Sequence, residues 1–351
     1  MNSRDYATYW TKIGSMKALI AHRPKDVSIG DWEDPSPGEH DAVVAVASCG
    51  VCGTDRHIAD GTYPAKYPNV LGHEIAGTVV SVGRGVDRVN EGDRVSVDPN
   101  IADHECTPCR RGDVHLCENL SAIGVTRAGG MAPQVLVPQS QLYRIPASLG
   151  LDEAAFAEPL SCVVHGLERV KVQSGGTVAI LGAGSIGLLA AQAVREIGAA
   201  SVVMSEPSTV RRDLAESLGA DEVYTPEMME HDSHSEEYDL VLECSGNPEA
   251  VLTAVRLARR GADILLFGVS PRGVKVAIEP YELYRKELRL VASNINPFTM
   301  EKAVALLAAG TVKVQGIVSH PVGLADLPKL LLGKPAPDEI KAALRFSQTS
   351  S

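Results

Sequence analysis

The sequence predicts an α/β protein in two parts, a β-rich half followed by a doubly wound parallel sheet. Three observations lead there. The chain has 351 residues, enough for about two domains. From 16 to about 146, short apolar runs (AVVAVAS, EIAGTVVSVG, DRVSVDP, APQVLVP) alternate with Gly, Pro and Asp turns, the texture of a compact β domain. From about 166 to 294 the pattern changes. TVAIL, SVVMS, DLVLEC, ADILLFG and LRLVAS are separated by helix-length segments. Strand alternating with helix signals a parallel sheet with helices on both faces.

Along the chain, residues 1–15 (MNSRDYATYWTKIGS) have no apolar core, so they read as a flexible extension and not a secretory signal. After 294 come a helical stretch, MEKAVALLAAG, and a last strand-like run, IKAALRF. One segment imitates a membrane span: TVAILGAGSIGLLAAQAV (177–194) is uncharged for 18 residues. It is short for a span, ends at Arg195-Glu196 and carries three glycines, so a strand, a turn and a helix are expected.

That turn, Gly182-Ala183-Gly184-Ser185-Ile186-Gly187, fits G-x-G-x-x-G. Its context gives it meaning. A strand runs into it, and apolar residues at Ile186, Leu189, Ala190, Ala193, Val194 and Ile197 follow at helical spacing until Gly198. Gly182 permits the tight turn, Gly184 lets backbone approach a pyrophosphate, and Gly187 lets helix and strand pack closely. The helix N-terminus, with Ser185 and Ile186 in its first turn, faces the phosphates of a dinucleotide. The pattern also requires an acid about 20 residues on. Glu206 ends SVVMSE. A carboxylate there accepts from ribose hydroxyls and repels a 2′-phosphate, which favours NAD over NADP. Arg211 is placed with the cofactor residues, and it and Arg212 lie close enough to act the other way.

Charge and cysteines bound the partners. Thirty-three basic against 44 acidic residues give −11, which argues against nucleic acid or an anionic membrane as a partner. Seven cysteines, with Cys49, Cys162 and Cys244 inside apolar runs, fit a reducing cytoplasm better than a disulfide framework. Three others crowd a polar loop, NIADHECTPCRRGDVHLC (100–117). Clustered thiols there suggest a metal, and a closed structural zinc site needs four ligands.

Two more segments stand out in the first half: CGVCGTDRH (49–57) and LGHE (71–74). On its own, Cys49-x-x-Cys52 is equally a chance pair, a redox motif or half a zinc site. Together with GHEIAGTVVSVG, the downstream Gly-Asp-Arg-Val (92–95), EPL (158–160) and the glycine turn, these segments resemble the zinc-dependent medium-chain alcohol dehydrogenases. The similarity is greatest to the sorbitol, other polyol and threonine dehydrogenase branch, and it covers residues 16–348.

The resemblance implies a GroES-like catalytic domain from 16–165 and 297–351, and a Rossmann domain from 166–296. It implies a catalytic zinc on Cys52 and His73, with Glu74 and Glu158 as carboxylates that bind it directly or through water. Cys49 falls outside the pattern, as a small buried residue at a strand end. Thr54 and His57 match a proton relay from substrate through the cofactor ribose to solvent. The family's structural zinc sits on four cysteines spaced C-x2-C-x2-C-x7-C. Here Cys106, Cys109 and Cys117 match the last three, and Asp103 stands at the first, with His104 and His115 as alternative fourth ligands.

The implied activity is oxidation of a secondary alcohol of a polyol, sugar or cyclitol to a ketone, with NAD as acceptor. Threonine 3-dehydrogenase and sugar C1 dehydrogenase are the alternatives within enzymes. A catalytically inactive nucleotide-binding relative is the alternative outside them. Polyol-oxidising relatives often carry an arginine after the last cofactor-domain strand; SNINPFT puts Ile295 or a neighbouring Asn there. ADILLFG and LRLVAS resemble the family's dimerising edge, so a homodimer or homotetramer is expected.

Overall fold

The computed structural model describes residues 10–12, 14–231, 234–336 and 338–346. It divides into two compact units: Met1–Glu158 with Ala303–Ala308 and Val318–Ser351, and Pro159–Lys302 with Ala309–Ile317. The sequence-based boundary between 165 and 166 lies in the same helix, Ala157–Glu168, as the observed one. The helix joins the second unit early because its body packs there: a Cβ on Gly166 would meet Phe267 and Leu265.

The first unit is built on a seven-stranded sheet. Its strand Asp41–Gly50 pairs antiparallel with Glu74–Val82, Gln134–Pro138 and the C-terminal strand Lys341–Arg345. Aromatics make up only 4% of the chain, so the interior is aliphatic. Val44, Val46, Ile75, Val95, Val97 and Leu344 are completely buried. Each such side chain stabilises the fold by about 1.5–3 kcal/mol. Cys49 is fully buried in this core, at the end of its strand.

Beside that sheet, Ser15–Arg23 pairs with Asp26–Glu33, with Asn69–Val70 and with Trp10–Lys12. The expected extension over 1–15 is therefore too long, since backbone hydrogen bonding holds Trp10–Lys12 and Ser15 in a sheet. Residues 1–9 and 13 lie outside the described residues.

The second unit is a six-stranded parallel sheet in the order Glu222–Tyr224, Ser201–Ser205, Thr177–Leu181, Tyr238–Glu243, Ala258–Leu266, Arg289–Ala292. Numbered along the chain this is 3-2-1-4-5-6, the Rossmann arrangement. The order reverses between Thr177–Leu181 and Tyr238–Glu243. The crevice at their carboxyl ends is where such sheets bind dinucleotides. Among the described residues no helix is long and apolar enough to cross a membrane, so 177–194 is a strand, turn and helix.

Candidate active site

The first cluster begins at the N-terminus of helix Gly53–Asp60, where Cys52 is the cap residue and Gly61, at φ 85, ends the helix in the left-handed region. Asp55, fully buried, organises this turn. Its Oδ2 accepts from Cys52 N at 2.8 Å and its Oδ1 from Gly72 N at 3.2 Å. The same Oδ1 lies 3.5 Å from His73 Nδ1. Gly72 has φ 93, and a Cβ there would meet Cys49 Sγ and Met131 Cγ at 2.7 Å. A glycine is thus required to turn the chain into His73. Asp55 then locks that turn to the Cys52 turn. One ligand atom each from Cys52, His73 and Glu74 falls within 4.8 Å of the others.

Behind Glu74 stands a residue that sequence reasoning missed. Lys341, 5% exposed, donates to Glu74 Oε1 at 2.8 Å and lies 2.6 Å from Oε2. The C-terminal strand brings it there by pairing Ala343 with Gly50, itself opposite Glu74. The pair also explains Gly50: a Cβ there would sit 1.8 Å from Glu74 Oε2 and 2.9 Å from Lys341 Cε. No motif announced Lys341, because 267 residues separate it from Glu74.

Glu158, 7% exposed, lies in the first turn of Ala157–Glu168 and outside the tight group, but within its field. Burial pushes its carboxyl up to about 7; His73 and Lys341 oppose the rise, and Glu74 and Asp98 add to it. Burial alone would lower the His73 pKa, yet Asp55 and Cys52 hold it well above the ordinary value. Burial raises Glu158 by disfavouring its charged form, whereas the carboxylate of Asp55 and the Cys52 sulfur raise His73 against burial, so it is the second shift that reports surroundings favouring added positive charge. One thiol, one imidazole and carboxylates in such a field suit a zinc ion with an open position.

Thr54 and His57 lie one turn apart on helix Gly53–Asp60, both half-buried, so they share a face. His57 Nδ1 is 3.1 Å from Thr62 Oγ1. Arg56, between them in sequence, points elsewhere, donating to Leu330 O and Gly333 O and pairing with Glu339.

The second cluster has ligand atoms of Asp103, Cys106, Cys109 and Cys117 within 4.8 Å of one another; His104 and His115 are not part of it. Asp103 Oδ1 accepts from Glu105 N at 2.8 Å and Cys106 N at 3.1 Å, and its Oδ2 from Asn119 Nδ2 at 2.7 Å. The Asn119 bond first, then the two backbone amides, hold the carboxyl well below its usual range. Burial, then Cys106, Cys117 and Asp103, push the Cys109 thiol up to about 12. Thiols this crowded resist ionising together unless a cation shares their charge. Three sulfurs and an ionised carboxylate fit a tetrahedral zinc.

In the second unit, Gly182 has φ 104 and a Cβ on Gly187 would strike Gly182 O at 1.9 Å, so both glycines serve the turn. A Cβ on Gly184, the N-cap of helix Ser185–Glu196, would meet nothing within 4 Å, leaving open space before the helix N-terminus and its first residues, Ser185 and Ile186. A cavity of ≈ 360 Å³ lies there, lined by Gly182, Gly184, Glu206, Arg211, Glu230 and Glu249 among others. Glu206 is 3% exposed; its Oε2 accepts from Ala183 N at 2.9 Å and its Oε1 from Ser208 N at 3.0 Å. Arg211 Nη1 stands 3.8 Å from Glu206 Oε2. Arg212 is occupied, donating to Glu206 O, Pro207 O and Thr209 Oγ1.

Residues 38–147 match the alcohol dehydrogenase GroES-like domain and residues 185–309 the zinc-binding dehydrogenase domain. The chain is 33% identical over 316 residues to D-arabinitol dehydrogenase 1 of Uromyces fabae, covering 87% of this chain and 90% of that one. It is 35% identical over 320 residues to L-threonine 3-dehydrogenase of Pyrococcus horikoshii, covering 87% and 91%. A zinc-binding dehydrogenase from Sinorhizobium meliloti, solved bound to NADP, superimposes with a TM-score of 0.92 at 38% identity, covering 94% and 99%. With both domains matched in order and relatives alike over most of their length, the chain belongs to the zinc-containing medium-chain alcohol dehydrogenase family.

Proposed function

We propose that this protein oxidises a secondary alcohol of a small polyol, sugar or cyclitol to the ketone, passing the hydride to NAD and the proton to solvent. The grouping of half-buried Cys52 with buried His73 and Glu74, ligand atoms all within 4.8 Å of one another, carries this reading. Cys52, His73 and Glu74, with Glu158 nearby, would hold a zinc ion, which would supply Lewis-acid polarisation of the substrate hydroxyl. Thr54 takes the hydroxyl proton as it gives its own to the cofactor ribose, and the His57 imidazole, which can both accept and donate a proton, passes it on to solvent. The full complement of ligand and relay residues argues against a catalytically inactive relative. Seven cysteines without a disulfide suit a cytoplasmic protein. The Arg289–Ala292 strand, at the sheet edge, is the surface through which we expect a dimer or tetramer to form.

The test is NAD reduction against a panel of polyols, cyclitols, sugars and threonine. Relatives that oxidise threonine, at 35% identity, make that amino acid the second substrate to try. In the loop after Arg289–Ala292, Asn296 is 1% exposed with its Nδ2 on Ser161 Oγ at 2.8 Å, so its amide serves the fold. That leaves Ile295, at φ 46, or Asn294 at the position where polyol-oxidising relatives often carry an arginine, and neither brings its charge to substrate hydroxyls. Turnover of threonine alone would replace the polyol reading.

Three further outcomes are expected. His57→Ala slows turnover by about tenfold or more, keeps its metal, and is partly restored by added imidazole; loss of zinc would make His57 a ligand. Glu206→Ala improves use of NADP relative to NAD by about tenfold, ~1.4 kcal/mol. Equal use of both cofactors by the unmutated protein would refute the NAD assignment. Metal analysis finds two zincs per chain, one for each group. Asp103→Ala releases the second to chelators first, lowering thermal stability before activity; a single zinc per chain, with Cys106, Cys109 and Cys117 all open to thiol reagents, would leave the lobe metal-free.

A further inference from the structure

We infer that Glu230 is a second carboxylate that excludes a 2′-phosphate from the cofactor pocket, acting through long-range charge where Glu206 acts by contact. This rests on the NAD reading above and extends it to a residue that the glycine-turn pattern does not mark. Glu206 alone is a compromised discriminator. Both its oxygens accept backbone amides, and Arg211 stands 3.8 Å away, offsetting part of its charge. If the pocket held only that pair, its net charge would be near zero and a phosphate would meet little resistance.

The rest of the lining changes the balance. Glu230 and Glu249 line the same cavity, giving three carboxylates against the single guanidinium of Arg211. Glu230 directly follows the short helix Pro226–Met229, on the wall beyond Glu222–Tyr224, the strand next to the one that leads into Glu206. Thr253 Oγ1, from helix Pro248–Leu257 and itself on the cavity wall, donates to Glu230 Oε1 at 3.4 Å. Among the described residues no cation pairs with Glu230. Its charge is therefore not offset locally as that of Glu206 is.

Location separates the two contributions. Glu206 is buried and Glu230 exposed, so salt screens the second far more than the first. The Debye length falls from ~10 Å at 0.1 M to ~3 Å at 1 M. A 2′-phosphate adds nearly two charges at neutral pH. Discrimination at low salt thus contains a screenable part from Glu230, alongside that of Glu249, which is also exposed.

The test is fluorescence titration of the zinc-loaded protein with NADH and NADPH, at low salt and at 1 M NaCl. Glu230→Gln is expected to narrow the NADH-to-NADPH affinity ratio about threefold to fivefold at low salt and little at high salt. Glu301→Gln, an exposed acid on another helix, serves as the control and leaves the ratio where it was. A ratio unchanged by Glu230→Gln, or changed equally at both salts, overturns the inference while the NAD reading stands. Equal affinities in the unmutated protein overturn both.

Discussion

Cys52→Ser is expected to lower kcat with every alcohol by about a thousandfold or more, ~4 kcal/mol of transition-state stabilisation. The zinc at the first group should fall well below one per chain. A serine hydroxyl does not ionise as a thiol does, and the thiolate is the soft, charged member of the set. Little else in the turn depends on the sulfur, because Asp55 holds it through Cys52 N and Gly72 N, backbone groups that serine keeps. NADH binding in the other unit is expected to persist. Cys49→Ser provides the contrast. That thiol is fully buried behind Gly72, and burial first, then the Asp55 charge, raises its pKa far above the ordinary value. It cannot readily become a thiolate, so its replacement should cost packing stability and leave zinc in place. The reverse pattern, activity lost at Cys49 and kept at Cys52, would move the metal to the other cysteine.

What the sequence made legible was local. The G-x-G-x-x-G turn and the C-x2-C-x7-C spacing each join residues that the chain places within one turn or one loop, and the acid ending the next strand comes back to the turn after a single helix and strand, where Glu206 accepts from Ala183 N. Asp103 could be found by counting back from Cys106 for the same reason. What stayed hidden depends on strand pairing across long separations. Lys341 meets Glu74 only because the last strand returns to Asp41–Gly50. Asp55 was in plain view within CGTDRH, but its role needs Gly72 and His73 brought beside it. Asn119 holds Asp103 from beyond the last cysteine, where no spacing rule points. The strand Trp10–Lys12 was missed because its three residues carry no periodic pattern, and only pairing with Ser15–Arg23 defines it.

Lys341→Met is expected to destabilise the protein by about 3–5 kcal/mol, the cost of leaving one member of a buried ion pair alone. The pair qualifies because both side chains are almost wholly withdrawn from water, 5% and 2% exposed. Burial alone would drive the ammonium towards neutrality, but Glu74 first, then Cys52 and Glu158, outweigh it and hold the pKa above that of an ordinary lysine. Its contribution is therefore complete below the unfolded-state value near 10.5 and is lost only as pH rises through the higher folded-state value. Methionine keeps most of the volume, which limits the cavity term. Zinc gives the prediction its sharper form. With Lys341 removed, the nearest counter-charge available to Glu74 is a cation at the Cys52–His73–Glu74 group. The penalty, read by chemical denaturation, should then be larger in zinc-stripped protein than in zinc-loaded protein, and Glu74→Gln in the same chain should recover much of it. Equal penalties with and without zinc would mean that Glu74 does not feel the metal, and its place among the ligands would pass to Glu158.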